Sequence, residues 1–91
     1  MSIPEYLQEA YVMLTSAYPN GVPDAEYPAL VGALKEGMSL RNIGDVLAEL
    51  IGQDPIEGYL DALGSDLPSA DPDVARVREK LAAFGWDPEI L

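Results

Sequence analysis

The sequence predicts an all-α fold, a compact bundle of five short helices in a single domain. Apolar residues recur at helical spacing in five separate blocks. Each block is fenced by proline, glycine or a residue suited to cap a helix. No segment alternates apolar and polar residues between hairpin turns, so no strand is expected. The 91 residues suffice for one core, with residues 1–86 forming the bundle and 87–91 a C-terminal tail.

The first helix is expected from about Ile3 to Tyr18. Ser2 and Glu5 have capping-box spacing, and Pro4 falls early, where its missing N–H costs little. Ile3, Leu7, Ala10, Leu14 and Ala17 share a face, with Tyr6, Tyr11 and Tyr18 on its flanks and Val12 pointing away. Pro19 disfavours helix in the residue before it, and Pro19-Asn20-Gly21-Val22-Pro23 reads as a turn. The second helix begins near Ala25 to Pro28, with Asp24 or Tyr27 at its N-cap. Its stripe is Tyr27, Leu30, Val31 and Leu34, and Gly37 offers a left-handed stop.

Ser39 caps a third helix whose core face is Leu40, Ile43, Val46, Leu47, Leu50 and Ile51, ended by Gly52. Asp54-Pro55-Ile56-Glu57 is a capping box with proline at the first helical position. It opens a fourth helix expected to turn Ile56, Tyr59, Leu60 and Leu63 inward and to close at Gly64. Ser65 to Ala70 is a linker. Asp71 caps the last helix, Pro72 starts it, and Val74, Val77, Leu81 and Phe84 line one side. A left-handed Gly85 lets Trp86 fold back on Leu81 in a Schellman ending.

Two stretches resemble a known family. One is Ala17-Tyr18-Pro19 followed by Gly21-Val22-Pro23. The other is Leu67-Pro68-Ser69, then Val74, Arg76-Val77-Arg78, Leu81-Ala82-Ala83 and Gly85-Trp86. Together they resemble domain of unknown function 3349, found mainly in mycobacteria and related actinobacteria. The resemblance implies a five-helix bundle and a bacterial cytoplasmic origin, and it implies no activity. The segment from Ile51 to Gly64 is shorter than is usual for that family, which implies a repositioned fourth helix.

Composition narrows the function classes. The chain has 16 acidic and 5 basic residues, for a net charge of −11. Such a field repels nucleic acid and anionic lipid and favours basic partners. Cysteine and histidine are both absent, which removes disulfides, thiolate metal sites and the commonest general base. No residue before Lys35 is basic, so no signal-peptide n-region is present, and no apolar run is long enough for a membrane span. The expected setting is the cytoplasm.

No motif carries catalysis, and no catalytic, cofactor-binding or metal-binding residue is assigned. The glycines stand singly at helix ends rather than in a phosphate loop. Asp24 with Glu26, or Asp71 with Asp73, lack EF-hand spacing, and Asp71 is explained as a cap. Chance Ser–Lys pairings are available, but Ser2 and Ser39 are accounted for as caps.

Three features could carry binding. Leu30 to Leu34, Gly37-Met38-Ser39, then Ile43 and Leu47 follow a helix-turn-helix pattern that would aim Arg41 and Asn42 at bases. Asp45 and Glu49 on the same surface would then meet phosphates. Arg76, Arg78 and Lys80 form a basic ridge able to receive an anion, or a solvated helix face. Tyr11, Val12, Tyr18 and Tyr27 are candidates for an exposed apolar patch near the first turn. The function expected by elimination is a non-catalytic interaction module that binds another protein or a second copy of itself. The alternative is a helix-turn-helix regulator, disfavoured by charge.

Overall fold

The computed structural model describes residues 5–68 and 70–86. Among them are five helices and no strand: α1 (Glu5–Ala17), α2 (Tyr27–Leu34), α3 (Leu40–Ile51), α4 (Pro55–Gly64) and α5 (Pro72–Ala82). The expectations for Ser2, Ile3, Pro4, the Tyr6 side chain, Ser69 and residues 87–91 lie outside the described residues.

α2 is the spine. Its residues from Ala29 to Leu34 are all buried, Gly32 included. A helix that is apolar all round can satisfy itself only by being surrounded, so the four-residue stripe expected from the sequence understates its burial. α2 packs chiefly against α5, and Gly32 admits Val74, whose Cγ2 would stand 3.1 Å from a Cβ at that position. α3 packs chiefly against α4, while α1 lies across α3 and α5. Leu14, Leu30, Leu34, Ile43, Leu47 and Leu81 are the largest fully buried side chains.

The helix ends follow the capping chemistry at three places. Ser39 Oγ accepts from the Asn42 N–H at 3.2 Å, and Asp54 Oδ1 accepts from the Ile56 N–H at 2.9 Å. Asp71 Oδ1 accepts from the N–H groups of Asp73 and Val74. After α5, Gly85 adopts φ +99°. The Trp86 N–H reaches the Leu81 carbonyl and the Gly85 N–H reaches that of Ala82. That pair of bonds is the Schellman arrangement, and Trp86 is buried in the same core as Leu81.

Other expectations are corrected. Neither Asp24 nor Tyr27 caps α2; Glu26 precedes it in helical conformation, at the end of a turn closed by Glu26 and Tyr27 N–H bonds to the Pro23 carbonyl. Gly37 is not left-handed. The chain leaves α2 instead through tight turns in which the Gly37 and Met38 N–H groups both bond to the Leu34 carbonyl. Met13 joins the core although it lies off the expected stripe of α1. Ile51, the last residue of α3, and Phe84, two residues past the end of α5, are exposed although expected inside.

The largest correction concerns α4. Its inward face is made of small residues, Gly58 and Ala62. The backbones of α3 and α4 meet there: a Cβ added at Gly58 would lie 3.0 Å from the Gly44 Cα, and one at Gly44 would lie 2.4 Å from the Pro55 carbonyl oxygen. A contact this close leaves no room for large side chains between the helices. Ile56, Tyr59, Leu60 and Leu63 therefore point outward.

Candidate functional site

On α4 the residues Ile56, Tyr59, Leu60 and Leu63 stand at i, i+3, i+4 and i+7 and form one continuous face. Their exposures are 57%, 36%, 55% and 57%. Single exposed apolar residues are ordinary, whereas four on one stripe of a ten-residue helix form a contiguous patch. A shallow groove runs beside it between α3 and α4, lined by Arg41, Asp45, Pro55, Ile56 and Tyr59. Glu57 and Asp61 border the stripe on its opposite side, by helical phase.

A second constellation lies on the α2 side of α4. The Tyr27 hydroxyl donates to Asp61 Oδ2 at 2.7 Å and accepts from Gln53 Nε2 at 3.3 Å. Burial, with the Asp61 carboxylate adding to it, pushes the Tyr27 phenol up to about 12. The adjoining recess, between α2, α4 and the linker, is lined by Tyr27, Val31, Asp61, Ser65, Asp66 and Leu67. Its polar groups are one phenol bonded to one carboxylate, a second carboxylate and a serine. The phenol is held protonated at neutral pH, and both its roles are taken: its O–H is donated to Asp61 and its oxygen accepts from Gln53.

A third cluster joins α5 to the turn before α2. Lys80 Nζ donates to Glu26 Oε2 at 2.9 Å and stands 4.5 Å from the centre of the Tyr18 ring. Burial, and then the nearby Glu26 carboxylate, raise the Tyr18 phenol far above its usual range. The Tyr18 hydroxyl faces Glu26 without closing a bond of normal geometry. That hydroxyl and the Lys80 ammonium hold the Glu26 carboxyl below its usual range.

The residues singled out from the sequence are not brought together. Val12 is 60% exposed, Tyr11 and Tyr27 are half-buried, and Tyr18 is buried in the core. Tyr18 is therefore withdrawn from the expected patch: Pro19 ends α1 just where the ring turns in under α5. The basic ridge is not free. Arg76 pairs with Asp73 on its own helix, Arg78 with Glu36 at 3.4 Å and Lys80 with Glu26. Two of the three cations thus tie α5 to the ends of α2. Lys35 donates to the Ser65 main-chain carbonyl at 3.0 Å, not to its hydroxyl. Among the described residues no cluster of three acidic side chains could hold a metal ion, and no helix is long and apolar enough to cross a membrane.

The helix-turn-helix pattern folds as two helices joined by a turn. α3, which would be the recognition helix, instead lays its Gly44 face on α4. Arg41 is exposed with Asp45 beside it in the same groove. The α4 stripe was missed in the sequence because large apolar residues at helical spacing were assigned inward by default. The available signal was Gly44, Gly58 and Ala62, small residues whose spacing marks a close helix crossing.

The family model described as a protein of unknown function, DUF3349, matches residues 5–89. The chain belongs to the DUF3349 family. No curated protein and no solved structure matches the chain. All five helices fall within the DUF3349 match, so the α3–α4 crossing and the outward stripe belong to the family-matched part of the chain.

Proposed function

We propose that this DUF3349 protein is a non-catalytic interaction module whose contact surface is the outward stripe of α4. The supporting observation is the orientation of that helix. Ile56, Leu60 and Leu63 stay more than half exposed while Gly58 and Ala62 take the interior. Fully burying such a side chain is worth about 1.5–3 kcal/mol, so the fold leaves a driving force for association on its surface. The setting we propose is an actinobacterial cytoplasm, as the resemblance of the two signature stretches implies.

The test is capture from native lysate with the tagged full chain, compared with a Leu60→Asp/Leu63→Asp variant and with Val12→Asp. The expected result is a stoichiometric protein retained by the wild type and by Val12→Asp and lost from the double variant. Identical retained proteins for all three would count against the reading.

A further inference from the structure

We infer that the occupant of this surface is a cationic amphipathic helix of another protein, seated along α4 and across the α3–α4 groove. The inference rests on the interaction reading above and adds the chemistry of the partner. Two observations support it, one of shape and one of charge.

The stripe repeats at i, i+3, i+4 and i+7, which is the spacing of a helix-pairing seam. α4 has ten residues and is about 15 Å long, so it matches two to three turns of a partner helix. The groove at Arg41, Asp45, Pro55, Ile56 and Tyr59 gives one partner side chain a place to insert between α3 and α4.

Charge selects among the occupants. Asp45, beside Arg41, borders the stripe on the α3 side, and Glu57 and Asp61 flank it on the other by helical phase. Four of the five cations are engaged away from the stripe. Arg76, Arg78 and Lys80 pair with Asp73, Glu36 and Glu26, and Lys35 is bonded to the Ser65 carbonyl. Among the described residues Arg41 is the basic side chain at the stripe without an ion pair. A second copy would bring a net charge of −11 and the same carboxylates, Asp45, Glu57 and Asp61, against this face, and like charges set together across an interface cost affinity. An anionic membrane is repelled in the same way. A helix with apolar anchors on one face and Lys or Arg on both flanks satisfies both the stripe and its rims.

The experiment titrates the 15N-labelled full chain with synthetic peptides of about 14 residues, three to four helical turns. One carries leucines at i, i+3, i+4 and i+7 with lysine flanks. A second keeps the leucines and replaces lysine by glutamate. A third scrambles the first. The expected result is binding of the lysine-flanked peptide with shifts confined to residues 41–49 and 55–64. Binding should be at least about tenfold weaker for the other two peptides, and should fall about tenfold between ~50 and ~300 mM salt. Leu60→Asp should weaken it at least tenfold, and Asp45→Asn/Glu57→Gln severalfold. Leu63→Asp serves where Leu60→Asp disturbs the fold by circular dichroism.

Equal binding of the glutamate-flanked or scrambled peptide overturns the inference. So does stripe-dependent self-association in sedimentation, or binding to phosphatidylcholine vesicles containing phosphatidylglycerol. A stripe-dependent native partner that lacks a cationic helix overturns this inference alone. Loss of stripe dependence in the lysate capture overturns the interaction reading with it.

Discussion

Replacing Gly44 by alanine tests whether the α3–α4 crossing sets the orientation of α4. The new methyl would stand 2.4 Å from the Pro55 carbonyl oxygen and 3.1 Å from the Tyr59 amide nitrogen. Both atoms are backbone, so neither can swing aside as a side-chain tip would. α4 must withdraw by more than half an ångström before even the tightest contact found in real structures is restored. A radial gap of about 0.5–1 Å forfeits a quarter to a half of the dispersion energy across the interface. Overpacking of this kind costs about 1–3 kcal/mol, and alanine's better helix propensity returns about 0.5–1 kcal/mol. The net expectation is a loss of up to about 2.5 kcal/mol, which lowers the melting temperature by up to roughly 20 °C at about 4–8 °C per kcal/mol for a domain of this size. Gly64→Ala is the control, since a Cβ there meets nothing within 4 Å; it should be neutral or slightly stabilising. Gly58→Ala falls between them, its nearest contacts being the Gly44 Cα at 3.0 Å and the flexible Gln53 amide at 3.2 Å. Thermal and urea unfolding followed by circular dichroism gives the order. Gly44→Ala as stable as Gly64→Ala would refute the close crossing and, with it, the reason given for the outward stripe.

Other consequences can be measured on the same chain. Leu60→Gln should change the unfolding free energy by less than about 1 kcal/mol, because more than half of the side chain is already in water, whereas Leu47→Ala, from the core, should cost about 2–5 kcal/mol; similar losses in urea titrations would mean that α4 buries its large face after all. Asp71→Ala removes the acceptor for two N–H groups at the start of α5 and should cost about 0.5–2 kcal/mol, with Asp71→Asn recovering most of it in the same assay. Tyr27 is held protonated up to about 12, while an unfolded tyrosine ionises near 10 (roughly the free phenol). The raised value means that its contribution is complete below pH 10 and is lost as pH rises from 10 toward 12. Tyr27→Phe should therefore flatten, without abolishing, the alkaline fall in melting temperature, since Tyr18 shifts in the same direction; an unchanged alkaline slope would refute the burial-raised ionisation of Tyr27. Glu26, held low by the Tyr18 hydroxyl and Lys80, stabilises above the ordinary carboxylate range and loses that contribution as pH falls through its depressed value. Glu26→Gln should lower the neutral-pH melting temperature and reduce its acid dependence.

Local chemistry was legible where one residue's own groups decide the outcome. Ser39, Asp54 and Asp71 cap the helices their side chains announce, and Gly52 and Gly85 take the left-handed conformation at the ends they were expected to close. Legibility fell wherever the outcome depends on a second element. Gly37 sits after a helix as Gly85 does, yet the chain turns tightly there to begin α3 and needs no left-handed residue. Tyr18 follows a polar stretch and precedes proline, but α5 supplies the cover that buries it. α4 is the clearest case. Its stripe satisfies every rule for an inward face, and only the glycine on a different helix shows that the opposite face is the one that fits. The ionic partners of α5 were missed for the same reason, since Glu26 and Glu36 lie 54 and 42 residues away from Lys80 and Arg78.

The orientation of α4 also explains why its apolar stripe does not simply roll inward. The connection from α3 is three residues, Gly52 to Asp54, with Gly52 at φ +71° and the Asp54 side chain fixing the first turn of α4. A connection this short sets the helical phase, and the phase puts Gly58 on Gly44. Turning the helix to bury Ile56, Leu60 and Leu63 would force large side chains between two backbones in near contact. The unrealised burial of those three residues amounts to about 1 kcal/mol each, since each is a little over half exposed. Against a total stability of about 5–15 kcal/mol for a domain, that is a large share to leave in solvent. The capped α4 start, the short connection and the glycine crossing all hold the stripe outward. The stripe is therefore apolar surface that three features of the local fold hold away from the core.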